Sequence, residues 1–336
     1  MFFWELTEGT FRRWPSDFQP DCGFADKMQQ EFQSRNAVCR IPPQAVHLEL
    51  TSRCDLRCIM CYNTYVQRHR CDMPASSVIG IVHELNVRRV HLQGIGEPLL
   101  HPDVIPVVSQ LTKEGCYVSL TTNGVHLDGC MLEQLTAAGL RKLVVSLDSV
   151  VPEILSEIRG VPDPKNLIEN VLHVLSKCRD RLWCEVNIVF FPEHVAATKQ
   201  TIGFLLGCGP PRAITLIHQQ YSSYRDKMPM CDHMPADEMA KLFGLEAAEC
   251  ARRGVILDLL APRRAPDIRR CLWPWNSLFV LADGRVTPCC CLLDVELGNV
   301  MKDSALSVWN GVRYRQLREI MHGPDVPAMC DGCNYL

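Results

Sequence analysis

The chain has 336 residues, 47% of them hydrophobic, which is enough for one large core and a smaller appended domain. Its formal net charge of -3 gives no broad positive field of the kind that nucleic acid or an anionic membrane attracts. Nucleic-acid and membrane partners are therefore not expected.

The N-terminal sequence MFFWELTEGTFRRWP has no basic leader, no long apolar segment and no small-residue cleavage site. The longest apolar runs, such as LVVSL and NIVFF, fall far short of the roughly 20 residues that span a bilayer. We expect a soluble, cytoplasmic protein without a secretory signal.

Residues 1–44 contain four prolines and little periodicity, which predicts an irregular N-terminal extension. Beyond them, apolar runs that predict strands cover 45–51, 88–94, 116–124, 142–148, 182–190 and 213–218. Amphipathic helical patterns lie between them at 75–85, 104–114, 127–139, 164–177 and 194–207. This alternation predicts parallel strands with right-handed crossovers, in a barrel or an open sheet over residues 45–233.

A further helix is predicted at 235–253 and a strand directly after it, which together make residues 234–270 a linker. Residues 271–336 form a cysteine-rich tail, interpreted as the second domain. The chain has 19 cysteines, and a reducing compartment favours metal or redox chemistry over a disulfide scaffold. Six cysteines among apolar residues are predicted to be small buried hydrophobic side chains: Cys39, Cys116, Cys178, Cys184, Cys208 and Cys250.

The stretch TSRCDLRCIMCYNT, residues 51–64, places Cys54, Cys58 and Cys61 at spacing C-x3-C-x2-C after the first strand. A structural zinc site usually closes with four ligands. The next candidates, His69 and Cys71, stand eight and ten residues further on. Three thiolates with an open fourth position therefore suit a catalytic cluster better than structural zinc.

Polar motifs follow the next strands as well: GIGEP after the second, TTNG after the third and SLDS at the fourth. In parallel α/β folds the active site lies at the carboxyl ends of the strands, where these motifs converge. Together with the cysteine loop, GIGEPLLHPD resembles the radical S-adenosylmethionine (SAM) superfamily, over roughly residues 45–336.

The resemblance implies an α/β fold, a partial (β/α)6 TIM-like barrel. It also implies that Cys54, Cys58 and Cys61 hold a catalytic [4Fe-4S] cluster whose open iron binds SAM. A 5'-deoxyadenosyl radical would then take a hydrogen atom from the substrate.

Gly94, Gly96 and Glu97 stand where the family has its Gly-Gly-Glu-type motif, with Ile95 in place of a glycine. The glycines would let the backbone approach SAM, and the carboxylate or a backbone carbonyl would accept from its ammonium group. The resemblance places further SAM-binding residues at Met60, Tyr62, Thr122, Asn123, Ser146 and Arg159.

Four of these have a second interpretation. Core packing would equally explain Met60 and Tyr62, which are candidates to pack against adenine, and an Asn-Gly turn would explain Thr122 and Asn123. Four polar residues could contact adenosine or substrate, although buried hydrogen bonding would explain each singly: Asn187, His218, Gln219 and Gln220.

In the tail, Cys271, Cys289, Cys330 and Cys333 give the spacing C-x17-C…C-x2-C. This resembles the twitch domain, the short form of the SPASM domain, and implies one fully ligated auxiliary [4Fe-4S] cluster. A zinc ribbon is the alternative. The neighbouring Cys290 and Cys291 could be a substitute ligand or a hydrogen-atom donor.

A closed auxiliary cluster favours outer-sphere electron transfer, hence oxidation. The tail resembles that of the aminocyclitol dehydrogenase type, which implies a small sugar or aminocyclitol substrate in antibiotic biosynthesis, oxidised from alcohol to ketone. The implied electron donor is a flavodoxin or a ferredoxin. An epimerase of a sugar or peptide, a peptide-modifying SPASM-type enzyme and a non-enzymatic zinc-binding protein remain alternatives.

Overall fold

A computed structural model gives the structure of the protein. It describes residues 24–34, 36–178, 181–218, 234–261, 271–323, 327–330 and 333. None of the helices in these ranges has both the length and the hydropathy needed to cross a lipid bilayer.

One large sheet runs through the described part of the chain. Its strands are β1 (Ala45–Leu48), β2 (Arg89–Leu92), β3 (Tyr117–Thr122), β4 (Lys142–Ser146), β5 (Trp183–Phe190), β6 (Ala213–His218), β7 (Ile256–Leu260), β8 (Ser277–Val280), β9 (Arg285–Thr287) and β10 (Gly298–Asn299). They lie in the order β10-β9-β8-β1-β2-β3-β4-β5-β6-β7. Neighbours from β8 to β7 pair in parallel, whereas β8, β9 and β10 pair antiparallel.

The helices alternate with the parallel strands, as expected for right-handed crossovers. They are α1 (Phe24–Gln33), α2 (Tyr62–Tyr65), α3 (Ala75–Leu85), α4 (Val104–Lys113), α5 (Gly129–Ala137), α6 (Pro152–Arg159), α7 (Pro164–Cys178), α8 (Val195–Cys208), α9 (Ala236–Leu242), α10 (Gly244–Arg252), α11 (Trp273–Asn276), α12 (Ala305–Trp309) and α13 (Val312–Met321). The predicted partial TIM-like barrel is confirmed, with all six predicted strands present.

The two faces of the parallel sheet differ in chemistry because side chains alternate along a strand. Residues such as Val46, Leu48 and Val90 are fully buried in the apolar core with the helices. Their neighbours in sequence include His47 and His91, which lie directly opposite each other on the inner face of the barrel. The inner face is therefore polar, and it opens toward the strand ends where the motifs gather.

Two stretches differ from the sequence prediction. The N-terminal extension is not wholly irregular, because α1 lies within it, and the ring of Phe32 meets Trp275 edge-on at 5.1 Å. The single helix predicted for 235–253 is divided into α9 and α10 at Phe243. The ring of Phe243 is fully buried against Phe190, and Gly244, a weak helix former, follows it directly.

The cysteine-rich tail adds directly to the barrel sheet, since β8 pairs in parallel with β1. The predicted linker strand likewise extends the sheet as β7, beside β6. Five of the six cysteines predicted to be buried are buried, but the prediction for Cys208 is wrong, because the last residue of α8 is exposed.

Candidate cluster and cofactor site

The three cysteines of the C-x3-C-x2-C motif lie on the loop between β1 and α2. Cys61 is the N-cap of α2, and its N–H donates to the carbonyl of Cys58 at 3.0 Å. The hydroxyl of Thr64 also donates to that carbonyl, at 2.7 Å, and the hydroxyl of Tyr65 donates to Ile59 O at 2.7 Å. The loop is thereby tied to the first turn of α2, with its three thiols partly buried.

The surroundings of these thiols suit a metal cluster. The pKa values of Cys54, Cys58 and Cys61 are each raised to about 11, mainly by burial, with negative neighbours acting in the same direction. Three adjacent thiolates therefore require compensating positive charge, such as iron. Among the described residues, no three His, Cys, Asp or Glu side chains could hold a single metal ion. Three thiols on one loop are the donor type that iron–sulfur clusters use, so the set fits such a cluster.

Glu97 of the GIGEP loop turns its carboxylate into the protein. It is 2% exposed and accepts from the hydroxyl of Thr122 at 2.7 Å, from Asn123 N at 2.7 Å and from Leu99 N at 3.1 Å. Burial raises the pKa of Glu97 to about 7, and these hydrogen bonds oppose that rise. The Glu97 carboxylate is one of two acceptors predicted for the ammonium group of SAM, but its oxygens are occupied by hydrogen bonds within the protein. The other predicted acceptor, a backbone carbonyl of the loop, remains for that role.

The glycines of the same loop are required by contacts within the protein. A Cβ on Gly94 would lie 2.3 Å from Cγ of Glu49, and one on Gly96 would lie 1.9 Å from the carbonyl oxygen of Thr51. The two glycines are predicted to leave space for a ligand. They also leave space for the residues that follow β1. Sequence analysis missed Glu49, although a carboxylate within the apolar run AVHLELT was a signal.

Arg159, predicted to pair with the SAM carboxylate, forms a buried ion pair with Asp148. Its Nε donates to Oδ2 of Asp148 at 2.6 Å, while Oδ1 accepts from Val189 N at 2.7 Å. Burial lowers the pKa of Arg159, but Asp148 and the nearby thiol of Cys58 more than offset this, so the net direction is upward. A permanent positive charge therefore lies beside the cysteine loop.

Asn123 reaches the cysteine loop directly. Its Nδ2 lies 2.9 Å from Oδ1 of Asp55 and 3.8 Å from Sγ of Cys54. The other oxygen of Asp55 meets Nε2 of His126 at 2.9 Å. Asn123 is thus placed to orient a cluster ligand, whereas its predecessor Thr122 is turned toward Glu97.

Tyr62, a candidate to pack against adenine, faces the tail. Its hydroxyl donates to Oδ1 of Asp294 at 3.0 Å, and its ring packs with Phe279, Leu281 and Leu293. Met60 is partly buried in the turn that precedes it. The structure therefore gives Tyr62 a role between the barrel and the tail that core packing alone explains.

The remaining candidates are spread along the sheet. Ser146 ends β4 directly opposite Asn187 on β5, with both side chains partly buried. His218 is fully buried, and its Nε2 accepts from Met234 N at 3.1 Å, so its ring serves the fold. Gln219 and Gln220 lie outside the described residues. Cys71 is held by Ser52, whose hydroxyl accepts from Cys71 N at 2.9 Å.

The tail brings a second group of thiols together. Cys271 interacts electrostatically with Cys289, Cys330 and Cys333, and burial is the largest cause of its strongly raised pKa. The same cause raises the pKa of Cys330 to about 12. The four predicted ligands therefore lie within electrostatic range of one another.

Cys291 belongs to this second group as well. Its Sγ lies 3.8 Å from that of Cys290. Interactions with the thiols of Cys289, Cys290 and Cys333, followed by burial, raise the pKa of Cys291. The side chain of Cys290 also packs against the apolar cluster of Tyr62, Phe279, Leu281 and Leu293. Cys290 therefore lies between that cluster and the thiol of Cys291.

Comparisons with known proteins agree with this arrangement. Residues 48–205 match the family model described as Radical SAM superfamily, and residues 271–334 match SPASM, described as an iron-sulfur cluster-binding domain. A PqqA peptide cyclase of Gluconobacter oxydans is 27% identical over 306 residues, 87% of this chain and 83% of that protein. Another from Xanthomonas campestris pv. campestris (strain B100) is 30% identical over 310 residues, 87% of this chain and 79% of that protein.

A solved structure is similar over nearly the whole chain. SuiB of Streptococcus suis, bound to S-adenosylmethionine, superposes with a TM-score of 0.71 at 17% identity, covering 95% of this chain and 79% of that one. Its complex with the precursor peptide SuiA gives a TM-score of 0.69 at 14% identity, covering 99% and 82%. At these identities the likeness shows a shared fold.

Proposed function

The chain belongs to the radical SAM superfamily and carries a C-terminal SPASM domain, and from this premise we propose that it closes a ring in a peptide substrate. The observation that carries the proposal is the similarity to peptide cyclases along 87% of the chain. The similarity of fold to a protein solved with a precursor peptide supports it.

The radical SAM domain binds SAM and a [4Fe-4S] cluster, and the SPASM domain binds auxiliary iron–sulfur clusters. When bound, the first cluster supplies the electron that cleaves SAM. We assign Cys54, Cys58 and Cys61 as its ligands, and Cys271, Cys289, Cys330 and Cys333 as the ligands of one auxiliary cluster. Each thiol set has the burial and mutual proximity that such ligation requires.

The neighbouring residues would bind and orient SAM. Arg159, held by Asp148, presents positive charge beside Cys58, where a carboxylate of SAM would be attracted. The Glu97 carboxylate holds its own loop against the end of β3, because it accepts hydrogen bonds from Thr122 and Asn123. Backbone carbonyls of residues 94–97 would then face the ammonium group, and Ser146 would line the same end of the sheet.

Ring closure between two side chains removes two hydrogens, so the reaction is a two-electron oxidation. The closed tail set, which led us to predict oxidation of an alcohol, therefore suits a peptide cyclase equally well. What changes is the substrate class. The relatives favour the peptide-modifying alternative over a sugar or aminocyclitol dehydrogenase, and antibiotic biosynthesis finds no support among them.

The test is a competition between substrate classes. The protein is reconstituted anaerobically with iron and sulfide and given SAM and a reductant such as reduced flavodoxin or ferredoxin. A displayed peptide library and a panel of sugars and aminocyclitols are then offered separately, and substrate-dependent 5'-deoxyadenosine is measured. We expect stimulation by peptides only, with a product that has lost two hydrogens and resists sequencing between the joined residues.

Two results would contradict this proposal. A ketone formed from an aminocyclitol, with no peptide turned over, would restore the dehydrogenase. A peptide or sugar of unchanged mass that gains solvent deuterium at an inverted carbon would establish an epimerase.

A further inference from the structure

Glu49 joins three separate segments of the molecule through one buried carboxylate. The side chain is 1% exposed, directly after β1. Its Oε1 accepts from Ile95 N at 2.9 Å and from Gly96 N at 3.1 Å, both in the GIGEP loop. Its Oε2 accepts from Ala282 N at 2.9 Å, in the turn between β8 and β9. This turn and its two strands are the tail hairpin.

Arg68 balances the charge of this carboxylate. Its Nη1 donates to Oε1 of Glu49 at 2.8 Å and its Nη2 donates to Oε2, in a bidentate pair with a 7% exposed arginine side chain. A buried ion pair is costly to break because the surviving charge has no partner. Glu49 is therefore held in a single position, from which it serves both the loop and the hairpin.

The backbone of Glu49 reinforces the same connection. Its N–H donates to the carbonyl of Val280 at 2.9 Å, which continues the β1–β8 ladder by one residue. The absence of a side chain on Gly94 leaves room for Cγ of Glu49. Backbone, carboxylate and glycine thus all place the loop against the tail hairpin.

We propose that Glu49 is a positioning residue that couples the SAM-binding loop to the tail hairpin. This coupling depends on the proposed function only through the assumption that residues 94–97 line the SAM site. SAM that orders the loop also fixes the amides of Ile95 and Gly96 against the Glu49 carboxylate, which in turn binds the hairpin at Ala282 N. By linkage, a well-seated hairpin strengthens SAM binding by the same factor.

The experiment measures hydrogen exchange and SAM affinity on the reconstituted full chain, without peptide. In the parent protein, SAM slows exchange in the loop and at hairpin amides such as Leu281 and Gly284, whose bonds close the turn. Glu49→Gln removes the charge but nearly keeps the shape. We expect its Kd for SAM to rise about tenfold, within the usual range of coupling between sites, and the hairpin response to disappear.

A second variant addresses only the tail side. Ala282 is the second residue of a turn that a hydrogen bond between Leu281 and Gly284 closes, and proline is favoured at this position of a turn. The substitution Ala282→Pro removes the N–H that donates to Glu49. It leaves the two loop donors, Ile95 N and Gly96 N, unchanged. We expect a smaller rise in Kd and, again, loss of the hairpin response to SAM.

Glu84→Gln is the matched control. Glu84 also connects the barrel to the tail, since its carboxylate accepts from Ala305 N at 2.9 Å, but it does not contact the loop. We expect an unchanged Kd for SAM and an unchanged hairpin response. A folded, iron-loaded Glu49→Gln protein with the parent Kd would overturn the proposal, as would an equal effect of Glu84→Gln. If Glu49→Gln does not fold, Ala282→Pro decides, and a parent-like hairpin response in it would overturn the coupling.

Discussion

The two cysteine sets offer the same type of ligand but differ in where their cysteines lie along the chain. The first set lies on a short loop at the carboxyl end of β1, beside Arg159 and above the polar inner face of the barrel. The second lies in the tail, where at least four thiols face one another among aromatic side chains such as Trp273. In our assignment, the open site takes its three ligands from one loop, whereas the closed site takes its four from three separate segments of the tail.

The largest expected effect comes from removing one ligand from each set. Cys58→Ala should abolish 5'-deoxyadenosine formation, because the cluster that cleaves SAM loses a ligand. Cys333→Ala should keep SAM cleavage but lose the ring-closed product. Each variant should lower iron from about eight to about four atoms per chain, as expected for two cubanes.

Cys130→Ala, on the exposed surface of α5, is the control for these variants and should match the parent. SAM cleavage that survives in Cys58→Ala, or disappears in Cys333→Ala, would reverse our assignment of the two sets.

The next prediction concerns how tightly the loop of the open site is built. Gly96→Ala would place a methyl group 1.9 Å from the Thr51 carbonyl, and the backbone must shift, at a cost of about 3 kcal/mol in unfolding free energy. Gly203 is an exposed residue of α8, and a Cβ added there would meet no atom within 4 Å. Gly203→Ala should therefore raise the unfolding free energy by up to about 1 kcal/mol. Denaturant unfolding measures both, and equal values would show that the loop tolerates a side chain.

The polar inner face predicts a pH dependence of stability. Burial, followed by the charge of Lys142, lowers the pKa of His91 from its usual value of 6.5 to about 4. The neutral ring is therefore favoured in the folded state, and its contribution is present above pH 6.5 and is lost as pH falls toward 4. By linkage, up to about 3 kcal/mol disappears over this window.

His91→Gln should flatten the unfolding free energy between pH 6.5 and 4, because the proton taken up on unfolding is removed. His83→Gln, at an exposed helix end, is the control. An unchanged slope in His91→Gln would mean that the inner face is hydrated well enough to charge the ring.

The smallest effect tests the contact between the two regions. Tyr62→Phe removes only the hydroxyl that donates to Asp294, and should lower the unfolding free energy by about 1 kcal/mol. Tyr62→Leu removes the ring as well. Neither should change the Kd for SAM, because the ring packs on the tail. A weaker Kd in Tyr62→Leu alone would return Tyr62 to the adenine site.

Sequence predicted the parts of this molecule that depend on local pattern. The six strands follow from apolar runs, and the two cysteine sets follow from spacing. In α1, Phe24, Met28 and Phe32 stand four apart, a helical signal that the prolines of residues 1–44 obscured.

The roles that sequence missed depend on contacts between distant segments. Glu49 meets Ala282 only because β8 pairs with β1, a pairing across more than 200 residues that no local pattern specifies. Thr122 likewise binds Glu97 because parallel strands bring their ends together. Tail spacing alone pointed to an alcohol substrate, whereas our proposal of a peptide substrate rests on similarity along most of the chain.

The most direct test of the open and closed sites is electron–nuclear double resonance with SAM labelled by nitrogen-15 in its amino group. It is measured on the reduced cluster of Cys333→Ala and, separately, of Cys58→Ala. We predict a coupling to the label in Cys333→Ala, where only the first cluster remains, and none in Cys58→Ala. A coupling in Cys58→Ala, or its absence from Cys333→Ala, would contradict the assignment of the open site to Cys54, Cys58 and Cys61.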